Sequence, residues 1–144
     1  DTYSEVDYIN QVEDSIGVKP IKTYLGEINL FAEIENEDDV KNIKPDFDKL
    51  INLEGQGLII SSKSQQFDFV SRYFCPKYGI NEDPVTGSAH TTLIPYWADK
   101  LNKSSMTARQ ISKRGGILYC TNLDERVLIG GKAVLYMKGE IEIT

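Results

Sequence analysis

The sequence is poor in the residues that usually carry metal and thiol chemistry. It holds one histidine and two cysteines in 144 residues. No second His or Cys stands at ligand spacing from His90, which argues against a zinc site. Cys75 and Cys120 form neither a CxxC pair nor a disulfide framework. Such sparing use of cysteine suits a reducing compartment, so a cytoplasmic location is expected. Long apolar runs are also missing. The longest aliphatic stretches, such as Gly57-Leu58-Ile59-Ile60, have the length of a strand. A membrane helix needs about 20 apolar residues. No secretory signal pattern opens the chain. Positive charge is outnumbered, with 16 Lys and Arg against 22 Asp and Glu, a net charge of −6. An acidic domain is a poor partner for nucleic-acid phosphates or for an anionic membrane surface. There is no internal repeat and no low-complexity segment.

What remains is an ordinary globular composition, 40% hydrophobic, at the size of one domain. Val6, Ile9, Val12 and Ile16 recur at helical spacing, which predicts a helix over 4–16, capped by Thr2 or Ser4 and ended by Gly17. Residues 26–34 alternate, with Ile28, Leu30, Ala32 and Ile34 on one side. Glu27, Asn29, Phe31 and Glu33 lie on the other, so a strand with one wetter face is expected. Asp38-Asp39-Val40 reads as a helix start, Pro45 as a break, and 46–52 as a second short helix. Strands are expected over 58–62 and 67–74, then a loop over 75–87 punctuated by Pro76, Gly79, Pro84 and Gly87.

Residues 88–102 carry the strongest helical pattern, with Ala89, Leu93, Trp97 and Leu101 in one stripe. Ile94, Tyr96 and Ala98 broaden that stripe, so the helix should be buried on several sides, and Pro95 should bend it. After Arg114-Gly115-Gly116, strands are expected over 117–121, 126–130 and 132–143. The fold class is α+β, with a mostly antiparallel or mixed sheet and few helices.

One segment has the makings of a site: Glu82-Asp83-Pro84-Val85-Thr86-Gly87-Ser88-Ala89-His90. Pro84 disfavours a helical Asp83, and Thr86 can cap the helix that follows. Gly87 permits close approach to the backbone. The N–H groups of Gly87, Ser88 and Ala89 are then free at the helix start and suit a carboxylate or phosphate. Asp83 at the rim could work as an acid or base, or orient a polar group. The same residues also make an ordinary loop-to-helix junction, and the sequence leaves both readings open.

Other candidates are weaker. Ser88 and His90 stand roughly 200° apart around a helix, so a nucleophilic dyad is disfavoured. Nothing basic and fixed stands near Cys75 in sequence to activate it. A lone His90 reads as a structural hydrogen-bonder, Arg72 as a surface arginine, Arg114-Gly115-Gly116 as a turn, and Tyr96-Trp97 as core. A hydrolase using Ser88 or Cys75 is the third-ranked reading.

Ser71-Arg72-Tyr73-Phe74, the string from Glu82 to His90, Tyr96-Trp97, Gln110 with Ser112, and Arg114-Gly115-Gly116 follow one another in that order. Together they resemble the phenazine biosynthesis PhzF-like family of isomerases, over the whole chain but only the second half of a member. The resemblance implies a diaminopimelate epimerase-like fold, in which each of two domains wraps a curled sheet around a central helix. Residues 1–144 would be the C-terminal domain, 88–102 its central helix, and the N-terminal domain absent.

The implied activity is cofactor-independent isomerisation of a small carboxylate by proton transfer in the interdomain cleft. A glutamate and a Gly-His motif of the absent domain would line that cleft. Asp83 matches the family's cleft aspartate, where the epimerase carries a catalytic cysteine. Gly87 and Ser88 match positions that contact substrate. No cofactor or metal is implied, and the full-length protein is expected to be a homodimer. A chain carrying one half of the site should be inactive alone. The competing reading is a non-catalytic small-ligand-binding module on the same fold.

Overall fold

A computed structural model describes residues 2–143. Its strands are β1 (Tyr3–Val6), β2 (Lys22–Gly26), β3 (Leu30–Glu33), β4 (Leu58–Lys63), β5 (Phe69–Cys75), β6 (Ile80–Glu82), β7 (Ser105–Gln110), β8 (Gly116–Asn122) and β9 (Val127–Gly130). The helices are α1 (Ile9–Ile16), α2 (Glu37–Asn42), α3 (Phe47–Leu50) and α4 (Gly87–Leu101). All nine strands join one sheet in the order β1-β2-β3-β4-β5-β7-β8-β9, with β6 added beside β5. The β3–β4 and β5–β7 pairs are parallel and the others antiparallel. The class is therefore mixed α+β, as composition and periodicity implied.

The two faces of the sheet are covered differently. On one face α1, α2 and α3 set Val12, Ile16, Val40 and Leu50 against Leu30, Ala32, Ile60, Val70 and Phe74. On the other face α4 lies alone. Its Ala89, Leu93, Ile94, Trp97 and Ala98 share one cluster with Phe31, Ile59, Phe69, Met106, Ala108 and Leu118. Trp97 stacks on Phe69, with ring centroids 5.7 Å apart. Its indole N–H donates to Ser61 Oγ at 2.9 Å, which satisfies the one polar atom the ring carries inward. The stripe expected of 88–102 is the stripe observed, and the helix runs through Pro95 to Leu101.

Several expectations fail, for physical reasons. The pattern over 4–16 divides. Tyr3–Val6 pairs with β2, and only Ile9–Ile16 is helical, ended by Gly17 in the left-handed conformation at φ 72°. A free sheet edge beside Thr23 and Tyr24 outbids the helical spacing of Val6. Neither Thr2 nor Ser4 caps that helix.

The 26–34 strand also divides, at a turn closed by the Gly26 N–H to Asn29 carbonyl bond of 2.9 Å. Its wetter face is not wet. Phe31 and Glu33 are 0% and 3% exposed, because α4 covers them. The buried Glu33 carboxylate accepts from Tyr96 Oη at 2.6 Å and from Lys100 Nζ, so its charge is partnered. The loop expected over 75–87 contains β6, and β7 arises where no strand was expected. Finally, 132–143 forms no strand. Beyond β9 the chain runs exposed, with Leu135 83% and Tyr136 98% accessible. A strand needs a pairing partner, and among the described residues this segment pairs with none, although β9 beside it is paired on one side only.

The two kinds of apolar residue should behave oppositely in denaturant unfolding. Trp97→Ala is expected to lose about 3–5 kcal/mol of stability. Leu135→Ala should stay within about 0.5 kcal/mol of the parent chain.

Candidate functional site

The sheet delivers the candidate segment to the start of α4. β6 pairs with β5 through Phe74 and Glu82, and the Asp83 N–H donates to the Tyr73 carbonyl at 3.1 Å. The chain then turns through Pro84 and Val85 into α4, which begins at Gly87. Asp83 is half-buried, Gly87 and Ser88 are exposed, and Ala89 and His90 are buried. The helix thus presents its first two residues to solvent and its next two to the core. The predicted trio of Asp83, Gly87 and Ser88 lies on one short stretch of backbone.

Thr86 occupies the N-cap position, yet its side chain caps nothing. Its hydroxyl turns back and donates to Asp83 Oδ2. The expectation that Thr86 caps the helix is corrected on this point. Among the described residues no protein group accepts from the N–H groups of Gly87 and Ser88, so these donors of the first turn stay available. A Cβ added at Gly87 would meet nothing within 4 Å. The packing of this chain does not require glycine there, and the approach to the backbone is open.

Three side chains, from β5, from β7 and from the turn beyond β7, fix the loop. Gln110 is fully buried; its Oε1 accepts from Thr86 N–H at 2.8 Å, and its Nε2 donates to the Asp83 carbonyl at 2.7 Å. The same Nε2 reaches Thr86 Oγ1 at 3.0 Å. Ser112 Oγ donates to the Pro84 carbonyl at 2.7 Å and accepts from Gly115 N–H at 3.0 Å. Arg72 is not the surface arginine its sequence context suggested. It grips Glu82 with Nε and Nη2, at 2.7 and 3.1 Å, and its Nη1 donates to the Val40 and Ile43 carbonyls. That arrangement ties β6 to the end of α2 through a paired, charge-assisted contact.

Gly115, at φ 69°, and Gly116 form the turn into β8. A side chain at Gly116 would strike Val85 Cγ2 at 2.6 Å, so glycine lets the turn press on the loop. A cavity of about 510 Å³, lined by Glu82, Pro84, Ser112, Lys113 and Arg114, flanks the loop on this side.

The nucleophile readings lose support. His90 Nδ1 donates to the Thr86 carbonyl at 2.7 Å, and its ring is 0% exposed, whereas Ser88 faces solvent. Burial lowers the His90 pKa, which keeps the ring neutral. Cys75 is buried beside Asp83, and burial, then that carboxylate, push its thiol pKa up. A thiol held protonated is a poor nucleophile. Burial likewise raises Cys120, to about 11.

Gln110 and the inward Arg72 escaped a reading by local pattern. The usable signal was weak: a lone glutamine two residues beyond Ala108 and four beyond Met106, on the buried alternation of one strand.

The family profile described as phenazine biosynthesis-like protein matches residues 5–139. The chain belongs to that family. An uncharacterized isomerase of Pseudomonas aeruginosa is 45% identical over 141 residues, covering 98% of this chain and 54% of the relative. One from Halalkalibacterium halodurans is 41% identical over 136 residues, covering 93% and 51%. A crystal structure of an Enterococcus faecalis PhzF-family protein superposes with a TM-score of 0.89 at 44% identity. That match covers 97% of this chain and 54% of the other. The chain spans about half the length of the curated relatives it matches. Among the described residues no helix is long and apolar enough to cross a membrane.

The buried His90 of this phenazine biosynthesis-like chain makes its stability depend on pH. Its folded pKa lies below the ordinary 6.5, so the unfolded chain takes up the proton first on acidification. The contribution is complete above 6.5 and is lost as pH falls below that value. Denaturant titrations of the parent and of His90→Phe should show a shallower acid slope in the variant.

Proposed function

We propose that the chain is the C-terminal half of a cofactor-independent isomerase, and that it supplies one wall of a cleft for a small carboxylate. The open α4 start beside Asp83 carries this reading. Gly87 and Ser88 N–H groups, uncapped by Thr86, would hold the substrate carboxylate, with the Ser88 hydroxyl alongside. A glutamate of the complementary half would remove a carbon-bound proton and return it at another carbon. No electrons leave the substrate, so no redox partner is needed. Asp83 would orient the substrate or assist that transfer.

Several observations support the half-site reading. The chain covers about half of its relatives, and three of those are named isomerases. The exposed tail offers Ala133, Leu135, Met137, Ile141 and Ile143 in strand alternation, as a segment that packs on a neighbouring sheet would. On the same reading α4 is the central helix of an epimerase-like domain, which accords with its burial.

The test uses the full-length parent and a panel of small unsaturated carboxylates in heavy water. Parent protein should incorporate deuterium into the substrate, and Asp83→Ala should slow incorporation about a hundredfold. Equal incorporation by both would remove Asp83 from the mechanism. Gly87→Ala should keep or slightly raise the melting temperature, by analogy with helix propensities, while raising KM. A parent that binds these carboxylates without any exchange would be a binding module instead.

A further inference from the structure

We propose that Thr86 and Gln110 are positioning residues whose hydrogen bonds run in one fixed direction and lock the Asp83 side chain. The role in catalysis rests on the reading of Asp83 above; the lock itself does not.

The direction follows from groups that can act in only one way. The Thr86 backbone N–H can only donate, so the Gln110 atom at 2.8 Å from it is the carbonyl oxygen Oε1. The Asp83 backbone carbonyl can only accept, so the atom at 2.7 Å from it is the amide nitrogen Nε2. The two assignments agree, and no flipped amide satisfies either. The second proton of Nε2 then points to Thr86 Oγ1, 3.0 Å away.

A hydroxyl carries one proton. With Gln110 donating into its lone pair, Thr86 is left to donate, and its proton goes to Asp83 Oδ2. The chain of donors therefore ends on a carboxylate, the strongest acceptor available to it. Gln110 is 0% and Thr86 7% exposed, so water cannot substitute readily for either partner.

His90 closes the arrangement. Its Nδ1–H on the Thr86 carbonyl anchors the same residue from the core side, at 2.7 Å. Thr86 is thus held at N–H, carbonyl and hydroxyl at once. Asp83 Oδ2 is committed to Thr86. Asp83 Oδ1 has no protein partner among the described residues and is the oxygen left for a ligand. A threonine that simply capped α4 would do none of this.

The experiment is NMR on the labelled chain, reading the Asp83 side-chain rotamer from three-bond scalar couplings. The parent and Thr86→Ser should each show a single rotamer. Thr86→Val keeps the shape but lacks the proton, and its couplings should average over several rotamers. Gln110→Glu provides a second route to the same end. Its carboxylate would draw the Thr86 proton away from Asp83, so averaging is again expected there. A single rotamer retained in both Thr86→Val and Gln110→Glu would overturn the proposal.

In the full-length parent, Thr86→Val should lower kcat for deuterium exchange about tenfold to a hundredfold with little change in KM, and Thr86→Ser should restore it. Rotamer averaging together with exchange that ignores Asp83→Ala would leave the lock standing and remove the proton-transfer reading. An intact single rotamer in both Thr86→Val and Gln110→Glu, with exchange lost in Asp83→Ala, would do the reverse.

Discussion

Trp97 lies flat on Phe69 and hands its indole proton to Ser61, so α4 has one rotation about its axis and no other. Burying Ala89, Leu93, Ile94 and Trp97 on one stripe removes several large side chains from water, each worth about 1.5–3 kcal/mol. A different rotation would expose part of that stripe. The first turn inherits the constraint: with Ala89 and His90 directed inward, Gly87 and Ser88 can only face outward. The outward-facing geometry of the helix start is thus a consequence of packing along the rest of the helix. Glu33 adds a second restraint near the other end, where Tyr96 and Lys100 meet its buried carboxylate.

The loop before α4 is held by polar contacts rather than by apolar burial. Arg72 fixes Glu82, Ser112 fixes Pro84, and Gln110 fixes Asp83 and Thr86. These side chains come from β5, the end of β7 and the turn beyond it, and the parallel β5–β7 pairing sets Ser71 opposite Gln110. A buried glutamine unsatisfied in the core would cost stability, so the clamp also specifies the loop's register. What emerges is a rigid wall with outward donors and one half-buried carboxylate.

The legible parts of this protein were those decided within a few residues. The period of Ala89, Leu93 and Trp97, the stop at Gly17 and the strands around Leu58 and Phe69 are local patterns, and the structure repeats them. Asn36 and Asp46 cap α2 and α3 beside the acids and the proline that mark those helices in the sequence. The Asp83–His90 string is likewise readable, because a proline, a cap position and a glycine at a helix start each carry a local meaning. The family resemblance rests on the same string.

The illegible parts were decided by partners far along the chain. Val6 obeys a helical period, yet β2 offers it an edge, and hydrogen bonds across that edge prevail over spacing. Phe31 and Glu33 alternate like a solvated face, yet α4, more than fifty residues on, covers them. Residues 132–143 have the alternation of a strand yet pair with no strand among the described residues, because pairing belongs to two segments and not to one.

Thr86 shows the same division at the site. Its sequence determined that a hydroxyl would stand at the N-cap. Gln110, 24 residues away, decided where its proton points, since a hydroxyl that accepts from a buried amide must donate elsewhere. Local chemistry determined which groups this protein carries, and tertiary contact decided which way each of them faces.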